Sequence, residues 1–170
     1  MRLSRTADQA IAAAAIVDPD QIERDMRGLI RIPSITGSEE AVQDEMERLF
    51  GEIGLETKRI VTDPVAFADD PDFPGSEMPR TSLPVVTGRL GRAGGRRVLL
   101  VGHVDVVPPG DLATWSVDPW AGEVRDGRMY GRGACDMKGG VVAILAAVRA
   151  LVASGAVEAF DGELLSLIHI

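Results

Sequence analysis

The chain has 170 residues, enough for one domain with a full-sized core, and its 45% hydrophobic and 26% charged residues exclude a disordered polypeptide, which pairs low hydrophobicity with high net charge. A formal net charge of -8 argues against nucleic acid as a partner, because phosphate binding needs a basic face, and no apolar run reaches the roughly 18 residues of a membrane span. The single cysteine, Cys135, excludes an internal disulfide and suits a reducing, cytoplasmic setting.

Arg2 and Arg5 precede the Ala-rich run Ala10–Val17, which faintly resembles a signal peptide. Asp8 and Gln9 interrupt it and Leu is absent from it, so residues 1–17 read as a short helical extension. Asp18-Pro19 is a helix start, with Asp as N-cap and Pro in the first helical position. Ile22, Met26, Leu29 and Ile30 then recur at helical spacing, and Pro33 ends the helix. Thr36-Gly37-Ser38-Glu39 fits a capping box, with Thr at the N-cap and Glu three residues on. Val42, Met46, Leu49 and Phe50 form the apolar stripe of the second helix, which Gly51 and Gly54 stop.

Leu55–Val61 reads as a strand. Residues 62–82 carry Pro64, Pro71, Pro74 and Pro79 with several acids, the composition of a long surface loop. Val85–Leu90 is a further strand, and Arg97–Val101 has the continuous apolar pattern of a central strand buried on both faces. Val124–Tyr130 turns at Asp126-Gly127, a hairpin signal. Lys138–Val152 is a nearly all-apolar helix, ended by Ser154-Gly155, and Phe160–Leu164 opens another buried strand. Strands mixed with helices in this way imply a layered α/β domain. The final string, Leu165-Ser166-Leu167-Ile168-His169-Ile170, is what a common transposon-end adapter for DNA library preparation encodes in one frame. We expect residues 165–170 to derive from such an adapter; the alternative is an ordinary apolar strand.

The chain has two histidines, His103 and His169. His103 ends the apolar strand, and Asp105, two residues on, points to the same face of an extended chain at the C-terminal edge where open α/β sheets place ligands. An imidazole beside a carboxylate is a metal ligand with its orienting partner, although His-x-Asp alone is a weak signal. Asp136 lies in the glycine-rich stretch Met129–Gly140, at the mouth of the apolar helix, where the plain alternative is a helix N-cap. A phosphate loop fits poorly, because Lys138 precedes Gly-Gly instead of lying between Gly and Ser or Thr. A Cys135 nucleophile lacks a second convincing histidine as its base.

Four blocks in order are more specific together. Gly102-His103-Val104-Asp105-Val106-Val107-Pro108, Trp115-Ser116-Val117-Asp118-Pro119-Trp120, Arg125 to Gly133, and Cys135-Asp136-Met137-Lys138-Gly139 resemble the co-catalytic zinc metallopeptidases. That family includes acetylornithine deacetylase, succinyl-diaminopimelate desuccinylase, aminoacylase and carboxypeptidase G. The resemblance runs from about Asp20 to about Leu164. It implies a layered α/β/α zinc-peptidase-like catalytic domain with a mixed sheet, C-terminally truncated. Residues 1–17 would be the helical extension, 18–164 the N-terminal part of the catalytic domain, and 165–170 the adapter-derived tail.

The resemblance further implies that His103 binds one zinc, that Asp105 is the catalytic aspartate holding its imidazole, and that Asp136 bridges two metals and precedes a cis peptide bond. The implied cofactor is Zn2+, two per complete site, with Co2+ or Mn2+ as alternatives. The implied reaction is hydrolysis of an amide bond in an N-acyl amino acid or small peptide, acetylornithine deacetylase-like or succinyl-diaminopimelate desuccinylase-like. Arg132 and Lys138 receive no catalytic role, Cys135 is packing, and Trp115 and Trp120 cover the loop between the two motifs. The family also needs a Glu-Glu pair after the next strand, a further acidic ligand, a C-terminal histidine and a smaller dimerisation domain. None is present here: Glu163 lies too early, and His169 lies in the adapter-like string. The 170 residues alone are therefore expected not to turn over substrate. A complete protein is expected to be a cytoplasmic homodimer acting on a small molecule, without nucleic acid or membrane. The rival readings are a non-catalytic binding protein that uses the same cleft without metal, and a Cys135-dependent hydrolase.

Overall fold

The computed structural model describes residues 5–73, 75, 79–159 and 161–169. After α1 (Arg5–Ala14), Asp18 caps α2 (Pro19–Arg31): its carboxylate accepts from the Asp20 N–H at 2.9 Å, and Pro19 sits in the first turn, where its missing N–H costs nothing. Met26, Leu29 and Ile30 are buried on its inner face. Helix α3 (Glu40–Ile53) buries Val42, Met46, Leu49, Phe50 and Ile53 and ends at Gly54 in left-handed backbone.

The capping box does not form. Glu39 occupies the N-cap position without a side-chain bond to the helix. The Thr36 hydroxyl instead donates to Asp105 Oδ2 at 2.9 Å, and Glu39 accepts from the Gly37 N–H and pairs with Arg80 at 3.4 Å. A hydroxyl gains more from an ionised carboxylate than from a cap bond to a neutral amide, so the tertiary partner prevails.

Among the described residues six strands follow: β1 (Glu56–Thr62), β2 (Leu83–Gly91), β3 (Arg96–His103), β4 (Glu123–Arg125), β5 (Arg128–Tyr130) and β6 (Gly162–His169), with α4 (Gly139–Ala153) between β5 and β6. A mixed sheet runs in the order β1-β2-β6-β3, antiparallel except for the parallel β6–β3 pair. Strands β4 and β5 form the separate hairpin, turning at Asp126-Gly127, both with positive φ as a type I′ turn requires. Between β1 and β2, Asp63 caps a short 3-10 turn, Pro64–Phe67, while Pro74 lies outside the described residues. Helices α3 and α4 pack on each other and on one face of the sheet, Phe50 over Gly88 of β2 and Val141 over Gly102 of β3. The resulting core also takes in Val86, Val142, Leu145, Val148, Leu164 and Ile168.

Strand β3 is not the doubly buried central strand that its composition predicts. It ends the sheet order, and Val98, Leu99 and Val101 are 43%, 54% and 44% exposed. Burial on both faces needs a layer on each, and the described helices that pack on the sheet, α3 and α4, share one face. Strand β6 continues in register with β2 as far as Ile168 and with β3 as far as His169, as an apolar pattern does whatever its origin; Ile170 lies outside the described residues. Among the described residues no helix is long and apolar enough to cross a membrane.

Candidate metal centre

Strand β3 delivers His103 at its C-terminal end. The chain beyond it, Val104–Val106, is held by the segment that leaves α2. Ser34 Oγ donates to the Val104 carbonyl at 2.6 Å, the Val106 N–H to the Ser34 carbonyl at 2.8 Å, and the Thr36 N–H to the Val106 carbonyl at 3.1 Å. This places Asp105 Oδ1 3.1 Å from His103 Nδ1, with the Asp105 carbonyl at 3.2 Å from the same nitrogen. Thr36 holds the other carboxylate oxygen.

The second half of the site is the turn into α4. Gly133 adopts left-handed backbone (φ 78°), and a Cβ there would collide with Val106 Cγ1, so only glycine lets this turn approach the end of β3. The Lys138 N–H closes the turn on the Gly133 carbonyl at 2.9 Å. Asp136 is extended (φ -127°, ψ 101°) and the Asp136-Met137 peptide is cis. Asp136 is not a helix cap: Lys138 holds the N-cap position of α4, without a side-chain bond. The Asp136 side chain is 88% exposed, and its Oδ1 lies 3.1 Å from His103 Nε2. A cavity of about 230 Å³ opens here, lined by His103, Asp105, Arg132, Cys135 and Asp136 among others.

The donor set tests whether a metal fits. Neutral imidazole carries one proton, and both Asp105 oxygens near Nδ1 are acceptors, so the proton belongs there. In that tautomer Nε2 turns a lone pair toward the Asp136 carboxylate 3.1 Å away, an arrangement that either a second ring proton or a bound cation would bridge. A borderline metal such as zinc accepts this imidazole–carboxylate pair, so the residues fit as part of a metal site. Among the described residues no group of three or more His, Cys, Asp or Glu side chains could hold a metal ion by itself. Cys135 is exposed and free, but both His103 nitrogens face aspartates, so among the described residues no histidine is left to serve the thiol as a base. The His169 side chain lies outside the described residues; its backbone pairs in register with His103.

Sequence reasoning missed Lys138. It is fully buried, and its ammonium donates to the carbonyls of Leu29 (2.8 Å) and Ile32 (3.0 Å) at the end of α2. Burial pushes its pKa down to about 8. The only sequence signal was a lysine, one of two in the chain, at the head of an otherwise apolar helix. Arg132 also acquires a place: its guanidinium stacks 5.0 Å over the Trp115 ring, and Arg132 and Trp115 both donate to the Pro109 carbonyl, closing the loop between the motifs.

Residues 99–165 match the sequence profile described as Peptidase family M20/M25/M40. This stretch is similar to that family. The M20 stretch takes in His103, Asp105 and Asp136, and it is the family that the four sequence blocks resemble. Over 134 residues the chain is 39% identical to a succinyl-diaminopimelate desuccinylase of Methylocella silvestris, a match covering 78% of this chain and 30% of the relative. Over 131 residues it is 41% identical to that of Rhodospirillum centenum, covering 77% and 30%. The chain thus spans about 30% of the length of the curated relatives it matches. Human carnosine dipeptidase 1 shares the fold with a TM-score of 0.66 at 22% identity, over 99% of this chain and 35% of its own. The dipeptidase Dug1p of Saccharomyces cerevisiae does so at 0.68 and 20% identity, over 97% and 34%. At these identities the likeness is one of fold alone.

Proposed function

We propose that this chain supplies part of the metal centre of an enzyme that hydrolyses an amide bond in an N-acyl amino acid or small peptide. The observation that carries the reading is the 3.1 Å approach of His103 Nε2 to Asp136 Oδ1, with the other ring nitrogen occupied by Asp105. His103 and Asp136 would hold zinc, with cobalt or manganese as alternatives, and Asp136 would be shared with a second ion. Metal bound there supplies polarisation of an amide carbonyl and acidification of a water. Asp105 keeps the proton on Nδ1 and orients the ring, and Thr36 fixes Asp105 in turn. The desuccinylase relatives favour an acyl amino acid as substrate.

Among the described residues the cavity holds Asp105 and Asp136 as its carboxylates, both already engaged with His103, so it lacks a separate general base. General acid–base help is worth about 10²–10⁴-fold, and the 170 residues alone are expected not to hydrolyse N-succinyl-diaminopimelate or N-acetylornithine. Calorimetric titration with zinc or cobalt(II) of a desuccinylase in which residues 18–164 replace the matching segment tests the metal reading, because the chain by itself offers only two ligands. Binding should be seen and should be weakened in His103→Ala and in Asp136→Ala. Binding unchanged in both variants overturns the reading, and no binding in the completed protein favours a cleft that works without metal. The same protein should be active and stopped by a chelator; activity indifferent to chelation also counts against it.

A further inference from the structure

The segment Leu29–Thr36 touches both halves of the metal centre. Toward β3, Ser34 and Thr36 bond the backbone of Val104 and Val106, and the Thr36 hydroxyl bonds Asp105. Toward α4, the carbonyls of Leu29 and Ile32 accept from the Lys138 ammonium. Asp136, two residues before Lys138, has His103 as its one side-chain partner among the described residues. Its place is therefore inherited from the backbone of the turn, and the turn is anchored at Lys138.

We propose that Lys138 and Thr36 are positioning residues of the metal centre, and that the end of α2 is a clamp setting His103 and Asp136 against each other. The proposal rests on the reading of that pair as metal ligands, although the geometry it concerns exists without metal. The last carbonyls of a helix lack intrahelical partners and lie at the negative end of its dipole. A lysine is suited to this place, because a compact ammonium on a long stem offers three donors and reaches two carbonyls from inside the core. Leu29 shows the arrangement: its carbonyl accepts from the Ile32 N–H at 3.3 Å and also from Lys138. Replacing the ammonium with an apolar group leaves these acceptors buried and releases the turn. Loss of the Thr36 hydroxyl frees one oxygen of Asp105 and loosens the Nδ1 side of His103.

The test is the imidazole nitrogen spectrum of the 170-residue chain labelled with 15N-histidine, read at one pH without metal. His169→Asn assigns the His103 signals, and Asp136→Asn and Asp105→Asn show where Nε2 and Nδ1 resonate when each carboxylate is lost. Lys138→Met should move Nε2 toward its Asp136→Asn position while Nδ1 stays. Thr36→Val should move Nδ1 toward its Asp105→Asn position, and Thr36→Ser should restore it. Leu145→Ala, which destabilises α4 away from the clamp, should move neither signal. Nε2 unmoved in Lys138→Met, or displaced equally in Leu145→Ala, overturns the role of Lys138. If Lys138→Met does not fold, the near-isosteric Thr36→Val decides, and an unmoved Nδ1 overturns the clamp. Metal binding to the completed desuccinylase that is unchanged in His103→Ala and in Asp136→Ala overturns the metal reading alone, since the metal-free shifts still report the clamp.

Discussion

Arg149 of α4 and Asp25 of α2 form a 2.8 Å ion pair in which the carboxylate side chain is 4% exposed. Gln21 donates to the other carboxylate oxygen at 2.7 Å. Removing one partner of such a pair strands a buried charge, which costs far more than the intact pair contributes. Arg149→Ala should therefore lose about 3 kcal/mol in urea unfolding. A loss below about 1 kcal/mol would class the contact with solvent-screened surface pairs.

Acid stability should depend on Glu163. A hydrogen bond from Arg97, with the charges of Arg97 and Arg89, holds its carboxyl below the usual carboxylate range. A carboxylate lowered on folding contributes stability above its unfolded pKa of about 4.3 and loses it as pH falls through the folded value. Glu163→Gln should be less stable than the parent at neutral pH, and the two should converge as the solution is acidified below about pH 4. Parallel curves of unfolding free energy against pH would refute this.

Two glycines in left-handed backbone separate conformational cost from collision. Gly127 sits in the β4–β5 turn with open space where a Cβ would go, so Gly127→Ala should cost about 1 kcal/mol. At Gly133 the same change also drives a methyl into Val106. Gly133→Ala should cost at least about 2 kcal/mol and displace the Asp136 turn, weakening cobalt binding as well. Equal losses at the two sites in thermal unfolding would show that the collision relaxes away.

The outer edge of β3 is unpaired among the described residues and exposes Leu99 and Val101. Unpaired apolar edges template association with another chain. The chain should grow in mean mass with concentration, and Leu99→Lys should suppress that growth. Light scattering after size-exclusion chromatography checks it; identical masses for parent and variant would remove the edge as the cause.

Much of the fold was legible locally. Asp18-Pro19 caps α2, Met26, Leu29 and Ile30 of the α2 stripe and the whole α3 stripe are buried, and Asp126-Gly127 turns the hairpin, because caps, periodicity and positive φ are settled within a few residues. The pairing of His103 with Asp136 across 33 positions was legible only as a family resemblance, since neither motif alone specifies the other.

By itself the sequence determined the residue types of the site and the helices and strands that carry them. Only the tertiary structure decided that Thr36 serves Asp105 and not a helix cap, that β3 is an edge, and that Lys138 holds the end of α2. Those partners lie 69 positions away for Thr36 and 106 and 109 for Lys138. Competition among such distant groups for one hydroxyl, or for one buried ammonium, is resolved by which of them the folded chain brings within hydrogen-bond reach.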